Sequence, residues 1–340
     1  MKIVIPGGSG QVGTMLARAF HGEGHDVVVL SRRPLVSPWR VVQWDGVTLG
    51  PWAAELDGAD VVINLTGRSV NCRYTPANRR EIVESRVKST RVVGKAIARA
   101  ARPPRVWLQA STATIYAHRY DAPNDERSGI IGGSESNAPG AWTFSIDVAR
   151  AWEAALNEAV VPRTRKVALR SAMTMSADAG GVFDTLLALV RRGLGGQVGD
   201  GRQFMSWVHE KDFVRAVRWL IDHDEVNGVV NIASPNPLTN AEFMRELREA
   251  WGIRVGLPVA EWMLEIGTIV MRTESELVLK SRRVVPGRLL EQGFVFAHPS
   301  WREAARDLCA EWTTQRRGAG RTPLPAPRPP ASTPERATSR

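Results

Sequence analysis

Directly after the apolar run Ile3-Val4-Ile5 stands Gly7-Gly8-Ser9-Gly10-Gln11-Val12-Gly13, in which Gly7, Gly10 and Gly13 recur every three residues ahead of an amphipathic pattern. Glycine permits positive φ in such a turn and lets the backbone approach a diphosphate, whose charge then faces the N–H groups of a helix N-terminus. The spacing departs from G-x-G-x-x-G. A strand, the glycine turn, a helix and a second strand nevertheless follow one another within about thirty residues, the context a dinucleotide-binding turn requires. Gly7, Gly10, Gln11, Val12 and Gly13 are therefore candidate cofactor contacts. The second strand ends in Ser31-Arg32-Arg33, where a site for NAD would offer Asp or Glu to the ribose 2′-hydroxyl. Ser31, Arg32 and Arg33 supply donors and positive charge suited to a 2′-phosphate, which predicts NADP(H), with NAD disfavoured.

Other chemistry is sparse. Six scattered histidines and two distant cysteines, Cys72 and Cys309, show no metal-ligand spacing and cannot build a disulfide framework, so no metal is expected. His209, in Trp207-Val208-His209-Glu210-Lys211-Asp212, stands where it can cap a helix. Trp142, Trp152, Trp207 and Trp262 could line an apolar pocket, and core packing accounts for most of them.

The elements that must position these residues are legible as alternation. Strand patterns at 2–5, 26–30, 41–44, 61–65 and 105–109 alternate with helical patterns at 11–22 and 77–101. Helices near 144–159, 182–192, 210–223 and 240–251 follow, with strands at 166–170 and 228–232. This predicts an α/β fold, a doubly wound parallel sheet of Rossmann type with a smaller C-terminal helical substrate region. The 340 residues are 43% hydrophobic and 24% charged, which excludes collagen-like, disulfide-rich and wholly disordered classes. Of the net charge of +10, half lies after residue 312, in a stretch with six Arg, one Glu and six Pro. That segment, 313–340, is expected to be a disordered basic tail, and the remaining excess is too small to argue for nucleic acid. The apolar stretch at 262–271 is short and interrupted by Glu265, and no secretory apolar region follows Met1, so no membrane span and a cytoplasmic location are expected.

Five motifs together carry a family resemblance: the glycine turn, Ser31-Arg32-Arg33-Pro34, Asn64-Leu65-Thr66-Gly67, Glu84-Ser85-Arg86-Val87 and Ser111-Thr112-Ala113-Thr114-Ile115-Tyr116. They resemble the atypical extended short-chain dehydrogenase/reductases, in the branch described as epimerase-family or cell-division-inhibitor-like proteins. Residues 276–296 are similar to the signature of that branch's C-terminal domain of unknown function. The resemblance implies a dinucleotide-binding domain over 1–240, with substrate-side segments from about 172, and a helical C-terminal domain over 241–312. It further implies that Asn64, Leu65, Thr66 and Gly67 line the cofactor, that Asp45 lies near the adenine, and that Ala110, Ser111 and Arg170 stand at the nicotinamide end. Residues 203–212 would belong to the substrate side, and the loop 191–202 could bind an anion.

Catalysis in the wider superfamily uses an orienting Ser or Thr and a Tyr-x-x-x-Lys pair. The residues four after Tyr74, Tyr116 and Tyr120 are Asn78, Tyr120 and Asn124, so the pair is absent. Alignment on Glu153 puts Ser145 and Ala149 where Tyr and Lys would stand. Thr112 remains as the orienting hydroxyl, with Ser111 as the adjacent alternative and Tyr116 as a further candidate for proton transfer. The expectation is an NADP(H)-dependent oxidoreductase or epimerase-like enzyme acting on an unknown small molecule, for which a homodimer is allowed. The alternative is a non-catalytic NADP(H)-binding sensor or scaffold.

Overall fold

The N-terminal strands carry apolar residues at every position, so side chains alternate between two faces and both must be covered. The computed structural model describes residues 1–135, 139–258 and 279–319. The chain runs β1 (Lys2–Pro6), α1 (Gln11–Gly22), β2 (Asp26–Ser31), β3 (Arg40–Gln43), β4 (Val61–Asn64), α2 (Pro76–Arg99), β5 (Val106–Thr112), α3 (Gly140–Asn157) and β6 (Arg165–Ser171). It continues through β7 (Met173–Met175), α4 (Val182–Arg191), β8 (Phe204–Met205), β9 (Trp207–His209), α5 (Glu210–Asp222), β10 (Gly228–Ile232), β11 (Leu238–Thr239), α6 (Asn240–Trp251), α7 (Gly287–Glu291) and α8 (Trp301–Ala319).

Seven strands form one sheet in the order β10-β6-β5-β4-β1-β2-β3, and every pairing is parallel. Ile3, Ile5, Val27, Val29, Val61, Ile63, Val106 and Leu108 face a core shared with Leu16 and Phe20 of α1 and with Phe213, Val217 and Leu220 of α5. The intervening Val4, Val28, Leu30, Val62 and Trp107 face Val92, Val93 and Ala96 of α2 and Leu156 of α3. The strand order reverses between β1 and β4, and the crevice beyond their carboxyl ends is where such sheets bind ligands.

A second core joins α4, α6 and α8 through Phe183, Leu187, Phe243, Leu247, Trp301 and Leu308. The C-terminal segment is not confined to it: Leu289, Phe294 and Phe296 pack into the core of the main sheet. The first seven residues of the segment expected as a tail, 313–319, are helical. Helix α8 continues to Ala319, because buried Trp312 and exposed Arg316 both hydrogen-bond Asp184 Oδ1, at 2.7 and 3.0 Å. The Thr313 and Thr314 hydroxyls bond back to carbonyls of the preceding turn. Residues 320–340, Trp262, the stretch 262–271 and the first three residues of the 276–296 signature lie outside the described residues. Among those described, no helix is long and apolar enough to cross a membrane.

Candidate functional site

The turn after β1 is closed by contacts that only glycine tolerates. Gly7 has φ +75°, and a Cβ there would lie 2.7 Å from Thr66 Cα in the turn after β4. A Cβ on Gly13 would lie 2.4 Å from Gly8 Cα, so this glycine sets the approach of α1 to the turn. Gly10 differs, because the nearest protein atom to its missing Cβ is Gly7 O at 3.8 Å. Among the described residues nothing requires glycine there, and the open space lies at the N-cap of α1. No side chain caps that helix and no acidic residue occupies its first turn, so its partial positive charge is left for an anion. Val12 turns inward against the main core.

Two buried polar groups on the flanking residues have no hydrogen-bond partner among the described residues: the Gln11 side-chain amide Nε2, which packs against Gly181, and the Thr66 hydroxyl, which lies beside Gly7. A buried donor without a partner costs about 1–3 kcal/mol, so the Thr66 hydroxyl beside Gly7 has a hydrogen bond to gain at this turn. The β4 turn is preset around it. Leu65 N donates to Pro6 O at 2.9 Å, Thr66 N donates to the fully buried Asn64 Oδ1 at 3.2 Å, and Asn64 Nδ2 donates to Gln109 Oε1 at 2.9 Å. Gly67 gives room to Arg86, whose guanidinium would stand 3.0 Å from a Cβ at that position. Burial pushes the Arg86 pKa down to about 10.

At the end of β2, Arg32 and Arg33 are exposed, and neither forms an ion pair among the described residues. Ser31 is buried and its hydroxyl accepts from Arg33 N at 3.3 Å. Asp45, expected near the adenine, spends its carboxylate on its own turn, accepting from Val47 N and Thr48 N at 2.8 Å each and from the Thr48 hydroxyl. The Thr48 hydroxyl, with those N–H groups, holds its pKa below the usual carboxylate range.

The candidate catalytic residues at the end of β5 are tied into a buried network. Ser111 Oγ donates to Glu153 Oε1 at 2.6 Å, and Arg170 pairs with the same carboxylate through Nε and Nη2, both at 2.8 Å. Despite burial, hydrogen bonding to Glu153 holds the Arg170 pKa above its ordinary value. Arg170 Nη1 donates to Tyr116 Oη, which in turn donates to Asn231 Oδ1, each at 3.0 Å. Tyr116 is 2% exposed and burial pushes its pKa up. Its hydroxyl is thus committed on both sides, which fits packing rather than proton transfer. The Ala110 carbonyl accepts from Gln109 Nε2 at 3.3 Å, and Thr112 accepts from Thr114 N at 3.1 Å, capping the short turn that follows. Thr112 still has its O–H to give.

One cluster has no signal in sequence spacing. His209, His298 and Asp307 converge from three separate segments. His209 caps α5 as expected, its Nδ1 accepting from Lys211 N at 3.1 Å, so the proton sits on Nε2, which faces Asp307 Oδ2 at 3.2 Å. A metal at Nε2 would need that proton gone, and the Lys211 ammonium, 2.6 Å from the same carboxylate oxygen, already supplies the positive charge. Sequence reasoning missed Tyr74 as well. Its hydroxyl lies 3.4 Å from Ser145 Oγ although the two are 71 residues apart.

Comparison with known proteins gives the family and the fold. Residues 3–233 match the NAD dependent epimerase/dehydratase family, and residues 259–308 match a domain of unknown function, DUF1731. Epimerase family protein SDR39U1 of Homo sapiens is 30% identical over 315 residues, covering 91% of this chain and all of the relative. The crystal structure of the human SDR39U1 protein with NADPH superposes with a TM-score of 0.79 at 28% identity, covering 91% of this chain and 99% of that one. A nucleoside-diphosphate sugar epimerase from Corynebacterium glutamicum superposes with a TM-score of 0.70 at 25% identity, covering 96% of this chain and 62% of that one. The chain with its glycine turn at the β1–β4 switch point belongs to the NAD dependent epimerase/dehydratase family and carries the C-terminal DUF1731 domain.

Proposed function

We propose that this protein is an NADP(H)-dependent oxidoreductase or epimerase-like enzyme acting on a small molecule that carries a carbonyl or secondary alcohol. The observation that carries the reading is the glycine turn, where open space at Gly10 lies at an uncapped helix N-terminus and the unpartnered Thr66 hydroxyl stands beside Gly7. Gly7, Gly10, Gln11, Val12 and Gly13 would hold the diphosphate, and Asn64, Leu65, Thr66 and Gly67 would line its far side. Ser31, Arg32 and Arg33 would bind the 2′-phosphate, with two unpaired guanidinium groups in place of an acidic residue. Asp45 would shape the loop beside the adenine by holding its own turn. Ala110 and Arg170 would border the nicotinamide, Arg170 through the Glu153 pair that fixes the end of β6. The human relative bound to NADPH supports this choice of cofactor. When bound, the cofactor supplies or accepts a hydride. Thr112 would orient the substrate oxygen by donating its hydroxyl proton to it.

A second reading, a non-catalytic NADP(H) sensor, is favoured by the internal commitment of Ser111 and Tyr116. Calorimetry with NADPH and NADH tests the part common to both. NADPH binds more tightly, and Arg32→Ala costs about 1–3 kcal/mol of that affinity while leaving NADH unchanged. Equal affinity for the two coenzymes overturns the assignment. Loss of nicotinamide absorbance with any carbonyl metabolite, reduced by Thr112→Val, selects the enzyme. Tight binding with no turnover across a broad panel selects the sensor.

A further inference from the structure

Helix α3 runs back along the sheet, so its two ends mark the two edges of the strands. Lys166, at the start of β6, donates to the carbonyls of Leu156 and Asn157 at the end of α3, whereas Glu153 reaches Ser111 and Arg170 near the carboxyl ends of β5 and β6. Continuing in the same direction along that face, Ala149 is fully buried and Ser145 stands two turns, about 12 Å, beyond Glu153. Ser145 therefore lies out over the carboxyl edge of the sheet, on the side where the glycine turn and the Thr112 hydroxyl also open.

A phenol arrives there from another element. Tyr74 belongs to the loop between β4 and α2, a few residues past the Asn64–Gly67 turn, and its Oη lies 3.4 Å from Ser145 Oγ in a pairing where either hydroxyl can donate. The loop is held. Asn78 Nδ2 donates to Arg73 O at 2.6 Å, Arg79 Nε donates to Tyr74 O at 3.0 Å, and Thr75 caps α2. The ring packs edge-on against Phe144 with centroids 5.0 Å apart, and the Arg79 guanidinium lies 4.6 Å from the Phe144 centroid and 5.8 Å from that of Tyr74. Arg86, buried beside Gly67, is close enough for its charge to interact with the Tyr74 phenol. Carbonyl reduction needs an acid that can reach the substrate oxygen. Tyr116 and Ser111 are buried, at 2% and 6% exposure, whereas Tyr74 and Ser145 are half-buried.

We infer that Tyr74, working with Ser145, is the proton donor and acceptor of this site, delivered from the β4–α2 loop instead of from α3. The inference rests on the NADP(H)-dependent reading above. A bound NADPH would supply the hydride to the carbonyl carbon, and the π electron pair of the C=O bond would become a lone pair on oxygen. Tyr74 O–H gives that oxygen its proton, and the phenolate regains one from water through the Ser145 hydroxyl. In the oxidation direction the alcohol proton passes to the same pair while the two electrons leave as hydride to NADP+.

The protein holds three tyrosines, so ring-¹³C tyrosine labelling with a Tyr74→Phe control assigns the Tyr74 resonance in the full chain. Saturating NADPH should shift that resonance, whereas 2′,5′-ADP, which lacks the nicotinamide, should leave it in place. Tyr74→Phe and Ser145→Ala should keep NADPH affinity within about twofold and lower kcat for any carbonyl substrate roughly 100-fold with little change in KM. A Tyr74 resonance indifferent to NADPH, in protein that calorimetry shows to be saturated, overturns this inference and leaves the proposed function standing. Absence of any NADPH binding removes both.

Discussion

Gly10 and Gly13 sit three residues apart in one motif, yet the structure gives them different duties. A methyl at residue 13 would collide with the Gly8 backbone, while one at residue 10 would enter open space. Gly13→Ala should therefore destabilise the fold by about 1–3 kcal/mol, through forced movement of α1 from the turn. Gly10→Val should leave the unfolding midpoint nearly unchanged and weaken NADPH binding at least about tenfold, because its side chain stands where the diphosphate approaches. Urea unfolding and calorimetry on the two variants separate these effects, and a Gly10→Val protein that binds NADPH normally would remove the glycine turn from the site. The motif and the basic pair after β2 were readable because each depends on residue type and on distance along the chain. What each hydroxyl is bonded to was not readable. Ser111, Thr112 and Tyr116 follow one another in sequence, and only the arrival of Glu153, Arg170 and Asn231 from elsewhere decides which of them keeps a free proton.

Strands and helices were the most legible level, for a physical reason. Six of the seven strands of the main sheet lie within one residue of their sequence patterns, and β5 runs three residues past its own, because a parallel sheet buried on both faces demands unbroken β-branched runs. The pairs β7–β9 and β8–β11 escaped, since strands of two or three residues leave no period to read. Helix α3 was readable as a helix, but its duty depends on Glu153. That carboxylate, with Arg170, forms an ion pair whose side chains are 13% and 10% exposed and which joins α3 to the ends of β5 and β6. Glu153→Gln would leave the Arg170 guanidinium buried without its counter-charge, a loss of about 3–5 kcal/mol by analogy with other buried pairs. The double variant Glu153→Gln with Arg170→Met should recover much of that loss. If the single substitution costs less than about 1 kcal/mol, the pair is hydrated and does not anchor the helix.

At the scale of the whole chain, the C-terminal segment closes back on both cores, and His209 stands at one of these seams. Its imidazole is fully buried at the start of α5, stacked on His298 with centroids 3.9 Å apart and facing Asp307 of α8. Burial first, and the neighbouring His298 second, push the His209 pKa down to about 3, outweighing the attraction of Asp307. In the unfolded chain the same group titrates near its ordinary value of about 6.5. Between those values the unfolded chain binds a proton that the folded chain refuses, so the stability this group contributes is complete above about pH 6.5 and is lost as pH falls through the window. Glu210, beside it, and Glu126 are held above the usual carboxylate range by burial. Their contribution has the opposite sign and is lost as pH rises, so the wild-type profile alone mixes the two. His209→Asn isolates the imidazole, because asparagine keeps a capping acceptor for Lys211 N and does not titrate. The difference in unfolding free energy between wild type and variant should shrink on going from pH 7 to pH 5, on the order of 2 kcal/mol in favour of the variant. A difference that stays constant across that range would show that His209 takes up its proton in the folded protein and that the seam does not exclude charge.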